Sequence, residues 1–225
     1  MRIDGSSKFP VDNRYSAFPS VAVAWRLSEE DFIKDLGIFD DLKLRASYGQ
    51  VGNQAISPYA SLGLLSSGLQ FNSVLDDATA ITGIAPGRFA NPNLKWETTS
   101  QYDIGADFGF AGGRYRLGLD YYKKNTTDLL LNISTPIFTG VSSVLQNAGE
   151  VENQGFEVDL GALIINTPDF RWDIAANFSH NETKVLDLGP NDAIFPGRGF
   201  AGSGSILSRV EVGGELGNFL GYVNE

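Results

Sequence analysis

The sequence contains no cysteine and a single histidine, His180. The first absence excludes thiolate nucleophiles, disulfides and cysteine-based metal sites, and the second leaves one imidazole for any catalytic triad or metal cluster. Basic residues are also few, since 17 Lys and Arg stand against 27 Asp and Glu for a net charge of −10. Such a chain repels the phosphates of nucleic acids, so nucleic-acid binding is not an expected function.

Long apolar runs are missing as well. No stretch approaches the roughly 18 apolar residues of a transmembrane helix, so any crossing of a membrane has to be made by β-strands. The first residues, Met1–Gly5, are not followed by the apolar core of a signal peptide. We therefore expect this chain to be a piece of a longer, exported protein.

What the chain does contain is glycine, 26 residues, and aromatic residues, 12% of the total. These suit strands joined by turns, and an alternation of apolar and polar residues with period two recurs along the chain. Each alternating segment has about the ten residues that a tilted strand needs to cross a bilayer. The six segments are Ser20–Arg26, Leu42–Gly49, Gln101–Phe110, Arg114–Tyr121, Phe156–Ile164 and Phe170–Ser179.

The glycine pair Gly112–Gly113 predicts a two-residue hairpin turn between the third and fourth segments. This turn predicts that Phe110 lies opposite Tyr115, which brings the apolar residues of both strands to one face. A short turn over Asn166–Pro168 joins the last two segments in the same way. A short helix is predicted after Ser28, which can cap it with Asp31 as the partner in a capping box.

The connections between the six segments alternate between short and long, and all the long ones fall on one side. This parity favours part of a large transmembrane outer-membrane β-barrel, an all-β antiparallel meander with short periplasmic turns and long extracellular loops. The alternative is a soluble or surface-attached β-sandwich that binds carbohydrate, because a sheet with one wet face shows the same alternation.

Other motifs carry little chemistry. Gly197–Gly202 matches a dinucleotide-binding glycine pattern but lacks the preceding strand and the following helix. Asp76 with Asp77, and the group of Asp187, Asn191 and Asp192, could offer oxygen ligands to Ca²⁺ but lack the spacing of a calcium loop, so no metal is assigned. A third hypothesis, hydrolysis by a carboxylate pair such as Glu157 with Asp159 or Asp103 with Asp107, is disfavoured because these residues lie on the polar face of regular strands. No catalytic residue and no cofactor are assigned.

Several stretches, in order along the chain, resemble the SusC/RagA-type TonB-dependent transporters. The long opening match covers Arg2–Phe9, Asn13–Ser20 and Trp25–Phe32, and it is followed by Leu42–Asn53, Asn91–Thr98, Asp120–Leu129, Asn147–Glu157 and Val212–Tyr222. The resemblance implies that residues 1–225 are part of the β-barrel domain of such a transporter, with the plug domain, the TonB box and the last strands absent from this chain.

The resemblance also implies a location, partners and cargo. The strands would contact outer-membrane lipid in a Gram-negative bacterium of the Bacteroidetes type, and a SusD-like surface lipoprotein would close over the barrel. Energy would come from the TonB complex through the plug, and the cargo is usually an oligosaccharide and sometimes a peptide. Cargo contacts are expected in the long loops, where the aromatic residues are Tyr59, Phe71, Phe89, Phe138, Phe195 and Phe200. No enzymatic reaction is expected, and no individual residue is assigned to cargo binding.

Overall fold

The structure is a computed structural model that describes residues 1–67, 73–75, 79–81, 83–195 and 208–219. It consists mainly of β-strands. In chain order they are β1 (Arg2–Gly5), β2 (Tyr15–Phe18), β3 (Ser20–Arg26), β4 (Phe39–Asn53), β5 (Leu64–Ser67), β6 (Ser73–Leu75), β7 (Thr79–Ile81), β8 (Ile84–Arg88), β9 (Glu97–Phe110), β10 (Tyr115–Thr127), β11 (Leu130–Ser134), β12 (Ser143–Asn147), β13 (Glu150–Asn166), β14 (Arg171–Asp187), β15 (Ala193–Ile194), β16 (Ser208–Glu211) and β17 (Asn218–Phe219).

All six predicted segments form one antiparallel sheet, with the strand order β14-β13-β10-β9-β4-β3. Neighbours in the sheet follow one another along the chain, apart from the small hairpins inserted in the long connections. The prediction of an antiparallel meander is therefore confirmed. The sheet is open, and β3 and β14 are its two edges.

The predicted register of the central hairpin is also confirmed, with Phe110 opposite Tyr115 and Ile104 opposite Tyr121. The predicted two-residue turn is wrong, because that pairing leaves four residues, 111–114, between the strands. Three of them have positive φ: Ala111 (55°), Gly112 (67°) and Gly113 (77°). This conformation directs the two glycine N–H groups toward the Asp40 carboxylate, to which they donate hydrogen bonds of 2.6 and 3.2 Å.

The strands are longer than the alternation predicts. β13 begins six residues before Phe156 and β14 continues eight residues beyond Ser179, so that each has 17 residues. His180, one residue beyond the predicted end of the last segment, consequently lies inside β14, with its ring 5.8 Å from that of Phe156. The extra residues are mostly polar on both faces. They were missed because alternation reveals a difference between the two faces of a strand and not the pairing of its backbone.

A bulge interrupts the alternation at the other end of β13. Leu163 lies opposite Asp173 but Ile165 lies opposite Trp172, so Ile164 is the extra residue and Ile165 takes the position on the apolar face predicted for Ile164. The Arg114 guanidinium donates to the carbonyls of Leu163 (3.2 Å) and Ile164 (2.9 Å). Arg114 therefore stabilises carbonyls at the bulge.

The predicted helix is present but begins later than expected. Residues Leu27–Glu29 form a 3-10 turn and the helix spans only Asp31–Lys34, with Glu30 at the N-cap and no side-chain capping bond. The Ser28 cap is therefore wrong, because the 3-10 turn takes up Ser28 and leaves Glu30 extended (φ −81°, ψ 137°). In the described part of the chain, no helix has the length and apolar character to cross a membrane.

Buried apolar side chains gather beyond one end of the six-stranded sheet. This end, called the long-loop end, carries the connections 54–96 and 128–149, and the opposite, short-turn end carries the turns 111–114 and 167–170. The larger cluster consists of Phe9, Phe18, Ile56, Ala60, Leu94 and Trp96, with Leu130 and Leu145 packed against it. A smaller cluster contains Val185, Leu188 and Val210.

Candidate functional site

One face of the six-stranded sheet, called the apolar face, is exposed over its whole width. It consists of Val21, Val23, Trp25, Leu44, Tyr102, Ile104, Tyr115, Leu119, Tyr121, Phe156, Leu160, Trp172, Ile174 and Phe178, together with their neighbours at the same register. Val23 at one edge is 66% exposed, Ile104 in the middle 63% and Phe178 at the other edge 58%. Leu42 on this face is buried, at 7% exposed, and the other large side chains of the face are half-buried or exposed. A β-sandwich would bury this face, so the sandwich alternative is not supported.

Aromatic rings concentrate at both ends of the apolar face. Tyr48 and Tyr102 lie 4.8 Å apart toward the long-loop end, and Phe39 and Phe110 lie 5.3 Å apart at the short-turn end. Tyr102 and Phe110 are eight residues apart on β9, which is about 27 Å along the strand. A strand tilted by roughly 40° would rise about 20 Å over that length, close to the height of the apolar band of an outer-membrane barrel.

Polar residues begin in the row of Tyr102, one row above Tyr121, because Lys123 and Gln154 lie in register with Tyr102. The Lys123 ammonium lies 2.9 Å from the Glu152 carboxylate, and Tyr121 Oη donates to Gln154 at 3.3 Å. Gln154 in turn donates to Glu182 at 3.4 Å. The apolar face therefore ends at a sharp boundary in mid-strand, while the backbone ladder continues past it.

The opposite face, called the polar face, carries a cross-strand ion cluster. The Arg45 guanidinium of β4 forms two hydrogen bonds to Asp107 of β9, at 2.9 and 3.0 Å, and one to Asp120 of β10, at 3.1 Å. Gly105 lies between Arg45 and Asp120 in the register. A Cβ at Gly105 would overlap the Asp120 carboxylate and lie 2.8 Å from Arg45 Nη2, so the absence of a side chain allows the two groups to meet over β9.

The candidate catalytic carboxylates lie on the polar face, within the regular strand ladder. Asp107 is bound by Arg45, and Asp103 accepts only a long hydrogen bond from Gln101, at 3.5 Å. Glu157 and Asp159 lie on the polar face of β13, in the regular ladder. Among the described residues, no group of three or more His, Asp or Glu could hold a metal ion. Asp76, Asp77 and the glycine-rich segment 197–202 lie outside the described residues.

Residues of the matching motifs meet at the long-loop end. Asn147 accepts from the Lys95 N–H (2.8 Å) and donates to the carbonyls of Lys95 (2.8 Å) and Asp128 (3.0 Å). Trp96 Nε1 donates to the Arg14 carbonyl at 3.3 Å. These bonds join segments that are far apart in the chain. We use the term cap for the hydrogen-bonded residues Arg14, Lys95, Trp96, Asp128 and Asn147 together with the larger buried cluster described above. The contacts of Asn147 were not predicted from the sequence, because partners 19 and 52 residues away in the chain leave no periodic signal.

The loop aromatic residues that the structure describes are exposed. Tyr59 is 73% exposed, Phe138 90% and Phe195 48%, while Phe89 is 37% exposed. Tyr59 is held next to Arg88, whose Nη2 donates to the Tyr59 carbonyl at 2.6 Å. Phe71 and Phe200 lie outside the described residues.

Comparison with known proteins gives a family match over nearly the whole chain. The model for the TonB dependent receptor-like β-barrel matches residues 1–219. A TonB-dependent receptor of Formosa agariphila is 46% identical over 86% of this chain and 19% of its own length. The TonB-dependent receptor SusC of Bacteroides thetaiotaomicron is 39% identical over 85% of this chain and 19% of its own length.

Solved structures agree with these matches. The RagAB peptide transporter superposes with a TM-score of 0.78 and 28% identity, over 96% of this chain and 22% of the matched chain. The chain spans about a fifth of the length of the relatives that it matches. These relatives are receptors and transporters rather than enzymes. The family match, the open sheet and its exposed apolar face together show that this chain belongs to the TonB-dependent receptor β-barrel family.

Proposed function

We propose that this chain is part of a TonB-dependent outer-membrane transporter that imports a nutrient together with a SusD-like surface lipoprotein. In this proposal the chain supplies six strands of the barrel wall. The plug, the TonB box and the remaining strands belong to other parts of the whole protein. The TonB complex acts through that plug, and the chain itself performs no reaction on the cargo.

The observation that carries the proposal is the contrast between the two faces of one sheet. The apolar face is exposed and carries aromatic residues at both ends, as expected for a surface in contact with lipid. The polar face holds the Arg45–Asp107–Asp120 cluster, as expected for a surface that faces a polar lumen. Lipid in contact with the apolar face and water in contact with the polar face would account for the composition of both.

The direction of the sheet follows from its connections. We place the short-turn end in the periplasm and the long-loop end outside the cell, where the cap and the exposed loop aromatic residues meet cargo and the lipoprotein. We propose an oligosaccharide as the cargo. A peptide is the second candidate, favoured by the structural likeness to the RagAB peptide transporter.

The test uses the full-length protein in its native host. Deletion of the gene is expected to abolish uptake of one labelled oligosaccharide pool or one labelled peptide pool, and disruption of TonB to abolish the same uptake. Restoration of the gene on a plasmid is the control. Uptake that persists in the deletion strain for all pools, or that does not depend on TonB, would overturn the proposal.

A further inference from the structure

A cavity of about 270 Å³ lies at the long-loop end, bordered by the 55–60 segment, β8 and the β11–β12 hairpin. Its polar lining residues are Ser57, Arg88 and Asn132, and its larger apolar lining residues are Ile56, Leu130 and Leu145. Ile56 belongs to the buried cluster of the cap, and Leu130 and Leu145 pack against that cluster. The walls of the cavity are therefore preformed by the cap.

Arg88 supplies an uncompensated positive charge at this cavity. Its Nε donates to the Leu62 carbonyl at 3.1 Å and its Nη2 to the Tyr59 carbonyl at 2.6 Å, and both acceptors are neutral. None of the ion pairs formed between described residues includes Arg88. A guanidinium held by two carbonyls keeps further donors for a carboxylate, which it binds in a planar geometry.

Tyr59 is held in a strained conformation beside this charge. Its φ of 60° lies in the left-handed region, which costs about 1–2 kcal/mol for a residue with a side chain. The hydrogen bond from Arg88 to the Tyr59 carbonyl helps to hold it there, and the ring is 73% exposed. Tyr59 lies between Ser57 and Ala60, which both line the cavity. Strain that presents an aromatic ring to solvent indicates a contact surface.

Asn132 and Ser57 complete the polar lining. Neither side chain forms a hydrogen bond with another residue in the described ranges, so both are available to a ligand. The nearby Glu97 carboxylate is already engaged, because it accepts from the Leu130 N–H (3.4 Å) and from Asn53 (3.1 Å). The cavity thus combines one cation with neutral hydrogen-bonding groups. The exposed Tyr59 ring belongs to the 55–60 segment that borders the cavity.

We propose that this cavity binds a carboxylate group of the cargo, with Arg88 pairing the carboxylate. Asn132 and Ser57 hydrogen-bond the polar groups beside it, and Tyr59 contacts the ring or backbone to which it is attached. The inference rests on the proposed function, because it assigns a cargo site to the same transporter. The carboxylate can belong to an acidic oligosaccharide or to the C-terminus of a peptide.

The test measures binding to the full-length protein, purified in detergent, by isothermal titration calorimetry. The probes are digalacturonic acid, trialanine and the neutral disaccharide cellobiose. One acidic probe is expected to bind and cellobiose is not. Asn132→Asp places a like charge in the lining and should weaken binding of that probe by about tenfold or more. The matched control is Asn166→Asp, the same change at the short-turn end, which should leave binding unchanged.

A second variant, Tyr59→Ala, tests the same cavity independently of Asn132→Asp. Tyr59→Ala removes the exposed ring but keeps the carbonyl that Arg88 binds, and it should weaken binding of the same probe. Binding of digalacturonic acid identifies a saccharide source of the carboxylate, and binding of trialanine a peptide source. Equal binding of cellobiose, or an unchanged affinity in Asn132→Asp, would overturn the inference.

The two proposals fail in different ways. If neither acidic probe binds but uptake by the host depends on this gene and on TonB, the cavity inference is wrong and the transporter function stands. If an acidic probe binds and Asn132→Asp weakens that binding but uptake does not depend on TonB, the site stands and the transport mechanism is wrong.

Discussion

Gly105 shows how a single missing side chain supports the polar face. Arg45 reaches Asp120 by crossing β9 directly over this glycine, so the ion cluster depends on Gly105 as much as on the three charged residues. Glycine inside a strand weakens it in general, and it is retained where another group approaches closely. Here the approaching group is a guanidinium from the neighbouring strand.

We expect Gly105→Ala to destabilise the folded full-length protein by about 1 kcal/mol, the lower end of the usual cost of overpacking, because the atoms that the new methyl group meets are the ends of flexible side chains. The new Cβ would meet the Asp120 carboxylate first and lie 2.8 Å from Arg45 Nη2, so it would separate these two groups. Gly118→Ala is the matched control, because a Cβ there would lie 3.5 Å from the Asp159 Cβ, an ordinary contact. Urea unfolding in detergent, followed by tryptophan fluorescence, measures both variants. Equal stability of the two would show that Gly105 has no special role.

At the scale of elements, the sequence predicts the six long strands and fails elsewhere for definite reasons. Alternation reveals a strand only where its two faces meet different surroundings, so the polar extensions of β13 and β14 were missed. The bulge at Ile164 shifts the register by one residue within an apolar run, which leaves no polar residue to mark it. The small hairpins, such as β11–β12, are too short to show a period.

The cavity residues were likewise invisible to sequence reasoning. Arg88 and Asn132 are far apart in the chain, and each follows no pattern that distinguishes it from other loop residues. Tyr59 was predicted as one of several loop aromatic residues, but its strained backbone was not. The cap brings these residues together through contacts that only the folded chain reveals.

The cap itself depends on Asn147 at the end of β12, which forms two hydrogen bonds to the Lys95 backbone and one to the Asp128 carbonyl. We expect Asn147→Ala to loosen the Lys95 segment locally without unfolding the sheet, because the lost bonds lie beyond the ladder of long strands. Limited trypsin digestion of the full-length protein should then cut after Lys95 roughly tenfold faster, for a loss of about 1.4 kcal/mol. Gln146→Ala, the neighbouring change, should cut at the original rate. Equal cleavage of the two variants would show that Asn147 does not hold the cap.

For the whole molecule, the assignment of lipid to one face and lumen to the other can be tested at two adjacent residues of β14. Phe178 is on the apolar face, in the row of Leu119 and Val158, midway between the aromatic ends, and Asn177 is on the polar face. An arginine at Phe178 would be transferred into the hydrocarbon layer, which costs about 2–4 kcal/mol near its centre. An arginine at Asn177 would meet the polar lumen, where Asp159 lies opposite it in the register.

We therefore expect Phe178→Arg to lower the yield of folded full-length protein in the outer membrane and Asn177→Arg to leave it unchanged. Heat-modifiable migration on gels measures the folded fraction in purified membranes, and unfolding in lipid vesicles measures the free-energy difference. The two variants add the same charge at neighbouring positions, so a difference between them reports the surroundings of the two faces alone. If both variants folded equally well, the apolar face would not contact lipid. The alternative would be that another part of the protein covers this face and leaves room for an arginine.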